Sequence, residues 1–279
     1  LLLVYRRAPG CVVGMGGYVA GPAGVAAWLL RKPLLIHEQN AVAGTTNRML
    51  APLARKIVAG FNGAFAPKRE YEVLGNPVRR ELLAAAAATH YDYTGQRPLR
   101  LLVLGGSLGA QPINQVVPAA LRHLRESGVD EVEVWHQSGE AHAAIVSESY
   151  GDMVDAGVQV MPFIEDMAQA YAWADLVLCR AGALTVAELA IMGRPAILVP
   201  LPHAIDDHQT ANARFLSDSG AAVLLRQSDM TVESLVQQLQ TCLSQPARLA
   251  AMAEAAKKVA TPQAAAAVSD CCEELMHGH

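Results

Sequence analysis

Short apolar runs alternate with longer amphipathic segments along most of the chain. The run at 101–104 is continuously apolar, which is typical of a strand that is buried on both faces. The segment at 111–126 instead carries its apolar residues at helical spacing. Repeated along the chain, this alternation predicts βαβ units, and therefore parallel sheets with helices packed on both faces.

The predicted elements fall into two groups. In the first group we predict strands at 11–13, 33–37 and 56–61 and helices at 22–30 and 45–53. In the second group we predict strands at 101–104, 132–136, 158–161, 176–179, 196–199 and 222–225, and helices at 111–126, 167–174, 184–192, 207–218, 231–243 and 246–260. A last helix is predicted at 264–275. Because so few strands precede residue 75, the first sheet is predicted to be incomplete.

These groups predict two α/β domains. We expect a partial N-terminal domain at 1–81 and a C-terminal domain at 82–261. The Ala-rich and then polar composition of 82–98 indicates a linker. The helix in 262–279 is expected to pack back on the first domain. The first residues are expected to lead into a strand almost at once, as in a chain that lacks its natural start.

Composition narrows the function classes. The chain has 279 residues, 52% hydrophobic and 17% charged, which provides enough apolar side chains for a packed core. A net charge of −4 argues against a nucleic-acid partner. No apolar run reaches the roughly 18 residues that a membrane span needs. The five cysteines have neither disulfide-framework nor zinc-site spacing, which predicts reduced thiols in a cytoplasmic protein.

Two glycine-containing turns are candidate phosphate sites. The first, Gly105-Gly106-Ser107-Leu108-Gly109, follows a buried strand and precedes a helix, so that free amides at the helix start face an anion. The second, at 180–185, has the same setting and places Thr185 in the first helical turn. Each turn on its own is equally compatible with an ordinary strand-to-helix connection, but two in one domain favour a nucleotide diphosphate.

Three further groups of polar residues follow predicted strands. Glu188, one turn beyond Thr185, is placed to accept hydrogen bonds from ribose hydroxyls, or else is a favourable first-turn charge. In the loop at 202–209, Asp206 and Gln209 can read sugar hydroxyls. A metal site formed by His203, Asp206 and His208 is the alternative reading of that loop. In the first domain, His37 or Glu38 is either an acid–base group or a satisfied polar residue.

The motifs together resemble the MurG family of bacterial UDP-N-acetylglucosamine transferases. They are GMGGY at 14–18, HEQN at 37–40, GNPVR at 75–79, GGSLGA at 105–110, HQSG at 136–139, YAWAD at 171–175 and GALT at 182–185. The likeness runs from about residue 11 to 260 and keeps the motifs in order. It implies a GT-B fold, meaning two Rossmann-like domains with a cleft between them, of which the first is incomplete here.

The resemblance also implies a function. A family member transfers N-acetylglucosamine (GlcNAc) from UDP-GlcNAc to lipid I, giving lipid II in peptidoglycan synthesis, by a single inverting displacement. Its partners are UDP-GlcNAc, undecaprenyl-linked lipid I and the cytoplasmic face of the inner membrane, to which it binds peripherally. It uses no cofactor and no metal, because amides and helix dipoles offset the charge of the leaving diphosphate.

By likeness, the donor-binding residues can be named. Ile164 would meet the uracil through its backbone, Glu188 the ribose, and Asn40 and Gln209 the GlcNAc or its surroundings. Arg79, at the domain junction, would help to bind the nucleotide. Ser107, Leu184 and Thr185 would lie near the diphosphate, and Ala183, Val186 and Ala187 would also belong to the substrate-binding segment.

The sequence leaves the identity of the general base open. In the family, a glycine-rich loop with a histidine lies upstream of the position of Leu1, and we expect the base there. Weaker candidates within this chain are His37, Glu38 and Tyr18. Without the upstream loop we expect no transferase activity. The alternatives are a GT-B UDP-sugar transferase that acts on another lipid, such as diacylglycerol, and a non-catalytic UDP-sugar-binding fragment. A Rossmann dehydrogenase is disfavoured, because the loop at 105–109 lacks the G-x-G-x-x-G order.

Overall fold

Two parallel sheets organise the chain. The computed structural model describes residues 1–66, 69–106, 109–129, 131–154, 156–202 and 207–277. The strands of the first sheet are Val12–Gly14 (β1), Leu34–Glu38 (β2), Lys56–Ala59 (β3) and Glu72–Val73 (β4). Those of the second sheet are Leu99–Leu104 (β5), Val132–Gln137 (β6), Val158–Met161 (β7), Leu176–Cys179 (β8), Ala196–Leu198 (β9) and Ala222–Leu224 (β10). Their spatial orders are β1-β2-β3-β4 and β10-β9-β8-β5-β6-β7, with all pairs parallel.

Helices connect the strands and cover both sheets. They are Leu2–Arg7 (α1), Ala20–Leu29 (α2), Thr45–Leu50 (α3), Arg80–Ala88 (α4), Gln111–Glu126 (α5), Ala143–Tyr150 (α6), Met167–Trp173 (α7), Ala183–Met192 (α8), His208–Ser217 (α9), Val232–Ser244 (α10), Pro246–Lys258 (α11) and Ala264–His277 (α12). We call the first sheet with α1–α3 and α12 the first lobe. The second sheet with α4–α11 is the second lobe. No helix within the described ranges has the length and apolar character that crossing a bilayer requires.

The second lobe has a core on each face of its sheet. Alternate residues of β5 point to opposite faces, so Leu101 and Val103 enter one core while Leu102 and Leu104 enter the other. The helix α5 packs into the first core through Ile113, Val117, Leu121 and Leu124, which share one helical face. The helix α8 fills the second core. Because β8 is buried along its whole length, this strand and β5 form a rigid base for the loops that follow them.

The first lobe is built in the same way on a smaller scale. Leu34 and Ile36 of β2 point into one cluster, which also contains Leu50 of α3. Leu35 lies on the other face, where Cys271 of α12 packs against it and against Val58. The last helix of the chain therefore covers the first sheet.

The structure confirms the predicted fold class of two parallel α/β units, and it places most predicted elements within two or three residues. Two predictions were wrong, and two elements were missed. The first residues form helix α1 rather than leading directly into a strand. Residues 80–88, partly assigned to a linker, form α4, because alanine has the strongest helix propensity and α4 packs on α7 and α8. The helix α6 and the two-residue strand β4 were not predicted.

Candidate active site: a cleft at the junction of the two lobes

A cleft of about 260 Å³ opens at the carboxyl ends of the second sheet. The strands β5 and β8 are hydrogen-bonded neighbours, so the turns that follow them lie side by side. Gly106 of the first turn and Thr185 of the second turn both line this cleft. Parallel α/β sheets bind ligands in such crevices. The other lining residues are Arg79, Leu104, Gln137, Phe163, Ile164, Glu165, Met167, Tyr171, Cys179, Arg180 and Glu188.

The turn after β5 needs glycine at several positions. A Cβ on Gly109 would collide with the carbonyl oxygen of Ser138, and one on Gly105 would lie 2.9 Å from the amide nitrogen of Ala110. Gly106 has a φ of +76° and open space around it. The backbone is therefore packed closely on the protein side and bare on the cleft side. Ser107, predicted to contact the diphosphate, lies outside the described residues, as does Leu108.

The turn after β8 presents the start of α8 to the cleft. Gly182 is the N-cap, and its carbonyl accepts the first helical hydrogen bond from the amide of Val186. The amides of Ala183, Leu184 and Thr185 precede that bond, so they have no partner within the helix. The side chains of Val186 and Ala187 are buried in the core. Of the predicted segment 183–187, its first three residues thus have the amides suited to an anion.

Glu188 lies beside the cleft between two donors. One of its carboxylate oxygens accepts from the Arg79 guanidinium at 3.3 Å, and the other accepts from the Tyr171 hydroxyl at 3.1 Å. Burial, followed by the nearby Glu188 charge, raises the pKa of Tyr171 well above its usual value, so this hydroxyl stays a donor. Each carboxylate oxygen keeps a lone pair for a further donor.

Ile164 and Gln137 share one wall of the cleft. The amide of Ile164 donates to Oε1 of Gln137 at 3.1 Å. A nucleobase that accepts a hydrogen bond from this amide must displace Gln137. A nucleobase that donates a hydrogen bond would use the Ile164 carbonyl instead. On the cleft floor, burial raises the pKa of Cys179 to about 12, with a smaller contribution from Glu188, so the side chain remains a neutral thiol.

Gln209 and Asn40 approach the turn after β8 from opposite lobes. Gln209 accepts from the amides of Ala181 and Leu201 through one oxygen, Oε1, at 3.3 and 2.9 Å. Asn40 follows β2 in the first lobe, and its Oδ1 accepts from Asn212 of α9 at 3.2 Å. Asn212 also donates to the carbonyl of Ala181. The structure thus brings both predicted sugar-contact residues to the edge of the same turn.

The candidate bases in the first lobe have different surroundings. His37 is fully buried, and its Nε2 contacts the Gly75 carbonyl at 2.9 Å. Burial lowers the His37 pKa and so keeps the ring neutral. The Glu38 carboxylate accepts from Asn40, Gly44 and Asn47, which fixes the loop after β2. These contacts favour structural roles for both residues. Tyr18, by contrast, is 89% exposed on its loop.

The alternative metal site was predicted from His203, Asp206 and His208. His203 and Asp206 lie outside the described residues. Within the described ranges, no group of three or more His, Cys, Asp or Glu side chains is arranged to hold a metal ion.

Sequence reasoning missed several residues of this site. Arg180 places its guanidinium at the cleft, held by the carbonyls of Val199 and Pro200 and by Gln227. Gln137 and Tyr171 fell inside quoted motifs but received no role. Asn212 gave no signal, because a polar residue in an amphipathic helix is usually exposed. Asn212 is buried because the loop after β2 of the first lobe lies against α9.

Two parallel α/β lobes that meet at a nucleotide-type cleft form the architecture of GT-B glycosyltransferases. The model of the glycosyltransferase family 28 C-terminal domain matches residues 100–268, and that of the family 28 N-terminal domain matches residues 3–59. The first match alone covers more than half of the chain. The chain belongs to glycosyltransferase family 28.

Named relatives agree with this assignment. A protein of Stutzerimonas stutzeri strain A1501 is 52% identical over 278 residues, which are 99% of this chain and 76% of the relative. One of Alkalilimnicola ehrlichii is 53% identical over 269 residues, 96% of this chain and 74% of the relative. Both are named UDP-N-acetylglucosamine–N-acetylmuramyl-(pentapeptide) pyrophosphoryl-undecaprenol N-acetylglucosamine transferase. The crystal structure of Acinetobacter baumannii MurG superposes with a TM-score of 0.82 at 42% identity, covering 98% of this chain and 76% of that one.

Proposed function

We propose that the chain functions in the transfer of GlcNAc from UDP-GlcNAc to the undecaprenyl-linked acceptor lipid I, the reaction that makes lipid II for peptidoglycan. The observation that carries this proposal is the cleft in which the turns after β5 and β8 and the Glu188 carboxylate face one space. Relatives more than 50% identical are named for that reaction. The proposal assigns donor binding mainly to residues 82–261 and acceptor binding to residues 1–81.

The donor would lie along the cleft from base to sugar. The uracil would lie beside Ile164 and Gln137, where backbone and side-chain amide groups can form hydrogen bonds with its edge. The ribose hydroxyls would donate to Glu188, which lines the cleft and whose two oxygens accept from Arg79 and Tyr171. The diphosphate would take amides of Ala183–Thr185, because the start of a helix favours anions. Arg79 and Arg180 add positive charge at the same opening.

The sugar end of the donor would reach the junction of the lobes. Gln209 uses its oxygen on two backbone amides, which leaves its NH₂ group as the donor for a sugar hydroxyl. Asn40 lies on the first-lobe side of the same turn. The acceptor hydroxyl would attack the anomeric carbon from the first lobe as UDP departs, with inversion. The helix-start amides would stabilise the charge that develops on the diphosphate.

The first lobe also carries a surface suited to a membrane. The exposed positions of α2 are Pro22, Val25, Trp28 and Leu29, which form one apolar stripe at helical spacing. Arg31, Lys32 and Arg48 lie close to the stripe in sequence or on the adjacent α3. Apolar side chains flanked by basic ones bind anionic lipid surfaces. We propose that this face holds the enzyme peripherally on the cytoplasmic face of the inner membrane, where its lipid acceptor lies.

Calorimetric titration with UDP-GlcNAc, UDP-glucose and NAD tests the donor site. The expected result is binding of UDP-GlcNAc in preference to UDP-glucose, with no binding of NAD. Because all three ligands contain a diphosphate, the comparison separates recognition of uridine and GlcNAc from simple anion binding. Equal affinity for the two UDP-sugars, or absence of binding, would contradict the proposal. The transfer step is checked separately with a lipid I analogue as acceptor.

A further inference from the structure

The helix α9 belongs to the second lobe but contacts the first lobe through two side chains. The Phe215 ring meets that of Phe61 edge-on, with centroids 4.8 Å apart. One turn earlier, Asn212 is fully buried at the same junction. A buried amide side chain must satisfy both its carbonyl oxygen and its NH₂ group.

Asn212 uses both ends of its amide, and it uses them on both lobes. Its Oδ1 accepts from the amide of Ala41 at 2.8 Å. Its Nδ2 donates to Oδ1 of Asn40 at 3.2 Å and to the carbonyl of Ala181 at 3.1 Å. Two of these partners belong to the loop after β2, and the third belongs to the turn that begins α8. The side chain is therefore a direct hydrogen-bonded link between the lobes.

Each partner of Asn212 is itself fixed. In the first lobe, the backbone amide of Asn40 donates to Glu38 at 2.9 Å, so the loop cannot shift independently of β2. In the second lobe, the amide of Ala181 donates to Gln209, so the peptide groups on both sides of this residue are held by α9. Ala181 directly precedes the helix start that we assign to the diphosphate. A displacement of either lobe would break hydrogen bonds of a side chain that is fully buried.

We propose that Asn212 is a positioning residue for sugar transfer: it holds the Asn40 loop of the first lobe in register with the donor turn of the second. The inference rests on the proposed function, since it takes Asn40 and the turn at 181–185 as parts of the donor site. Asn212 itself is buried behind them and acts through them. Asn212 therefore affects binding of the sugar end of the donor, and not binding of the uridine end at Glu188 and Ile164.

The test compares Asn212→Ala with Leu216→Ala. Leu216 is one turn further along α9 and is equally buried, but its apolar side chain makes no hydrogen bond between the lobes. Calorimetry gives the affinities for UDP and for UDP-GlcNAc, and hydrogen exchange gives the protection of the Ala41 amide without ligand. In Asn212→Ala we expect UDP affinity within about threefold of the unaltered chain, a loss of about five- to tenfold in the extra affinity conferred by the sugar, and about fivefold or greater faster exchange at Ala41.

Leu216→Ala is expected to lower stability while leaving the UDP-GlcNAc to UDP affinity ratio and the Ala41 exchange unchanged. Asn212→Asp provides a second variant of nearly the same shape in case the alanine variant does not fold. Its carboxylate still accepts from Ala41 but cannot donate to Asn40 or Ala181 at neutral pH. We therefore expect Ala41 protection to survive in this variant while the contribution of the sugar is lost.

The inference is overturned if Asn212→Ala weakens UDP and UDP-GlcNAc by the same factor, or if Ala41 exchanges as slowly as before. The same holds if Leu216→Ala reproduces its effects. Failure of the unaltered chain to bind UDP would instead contradict the proposed function. The exchange of Ala41 is measured without nucleotide, so it reports on the link between the lobes in either case.

Discussion

Glu188 is the side chain around which the polar contacts of the cleft are arranged. Arg79 reaches it from the N-cap of α4, and Tyr171 reaches it from α7, so elements distant in sequence meet at one carboxylate. Its location after a glycine-containing turn was readable from the sequence. Its two partners were not, because a sequence does not reveal which donors the packing of α4, α7 and α8 brings together.

Glu188→Ala is expected to weaken UDP binding by about 1.5–3 kcal/mol, the range for hydrogen bonds to a charged group. The loss arises because the ribose hydroxyls lose an ionised acceptor. Calorimetric titration with UDP measures it. Tyr171→Phe is the matched control, since it removes one donor to Glu188 but leaves the carboxylate, and it should cost less. Unchanged affinity in Glu188→Ala would remove this residue from the site.

A second residue, His136, is expected to make the stability of the second lobe depend on pH. His136 is fully buried between Tyr150 and Asn114, and its ring nitrogens contact the Tyr150 hydroxyl at 2.8 Å and the Asn114 Oδ1 at 3.0 Å. Desolvation lowers its pKa from 6.5 to about 3. The ring is thus neutral in the folded chain but protonates near pH 6.5 once the chain unfolds.

Because the unfolded chain binds a proton that the folded chain does not, stability is expected to fall as pH falls below about 6.5, and the loss continues toward pH 3. Between pH 7.5 and 5.0, His136 accounts for a loss of at most about 2 kcal/mol in the free energy of unfolding. Urea unfolding at these two pH values measures it. His136→Gln should be less stable at pH 7.5 but less sensitive to pH. His37, whose pKa is also lowered, supplies a remaining slope in the same direction. An equally steep pH dependence in the variant would refute the assignment.

At the scale of elements, amphipathic segments were predicted most accurately. The helix α5 begins and ends at the predicted residues because its apolar face has a clear period and its neighbours are turn residues. The alanine run of α4 has no such face, so composition alone suggested a linker. The crossing of two connecting segments was also invisible in the sequence. The chain leaves β4 at Gly75, and Thr261 passes beside it before α12 begins.

Gly75→Ala is expected to lower the free energy of unfolding by about 2–4 kcal/mol, because a Cβ would collide with the Thr261 side chain and the backbone has a φ of +88°. The Gly75 carbonyl also holds His37. Gly128→Ala is the control, since Gly128 has a φ of +80° with open space around it and should cost only about 1 kcal/mol. Denaturant unfolding compares the two variants. Equal losses would mean that the crossing of the segments imposes no steric constraint.

For the whole molecule, the sequence was sufficient for two parallel α/β units, since buried parallel strands produce continuous apolar runs. It was not sufficient to predict which residues meet at the junction of the two lobes. Phe61 contacts Phe215, and the loop after β2 contacts Asn212, because α9 of the second lobe lies against the ends of the first-lobe strands β2 and β3. Side chains whose roles depend on the junction of the lobes have no local signal in the sequence.

The same arrangement of lobes sets the orientation proposed for the membrane. The apolar stripe on α2 lies in the first lobe, whereas the cleft that we assign to the nucleotide is lined mainly by the second lobe. A membrane bound by the first lobe would bring a lipid acceptor to the first-lobe side of the cleft and leave the second lobe open to a water-soluble donor. The basic residues next to the stripe make this binding favour anionic lipid.

Replacing both Trp28 and Leu29 by Ser is therefore expected to reduce co-sedimentation with vesicles of phosphatidylglycerol and phosphatidylethanolamine by about tenfold or more, because two exposed apolar side chains leave the bilayer interface. UDP affinity should stay unchanged, since neither residue lines the cleft. Ile145→Ser is the matched control, since it removes a similarly exposed apolar side chain from α6 of the second lobe. Vesicle binding that the double variant leaves intact, or that Ile145→Ser lowers equally, would mean that another face of the enzyme meets the membrane. Weaker binding in high salt would support the part assigned to the basic residues.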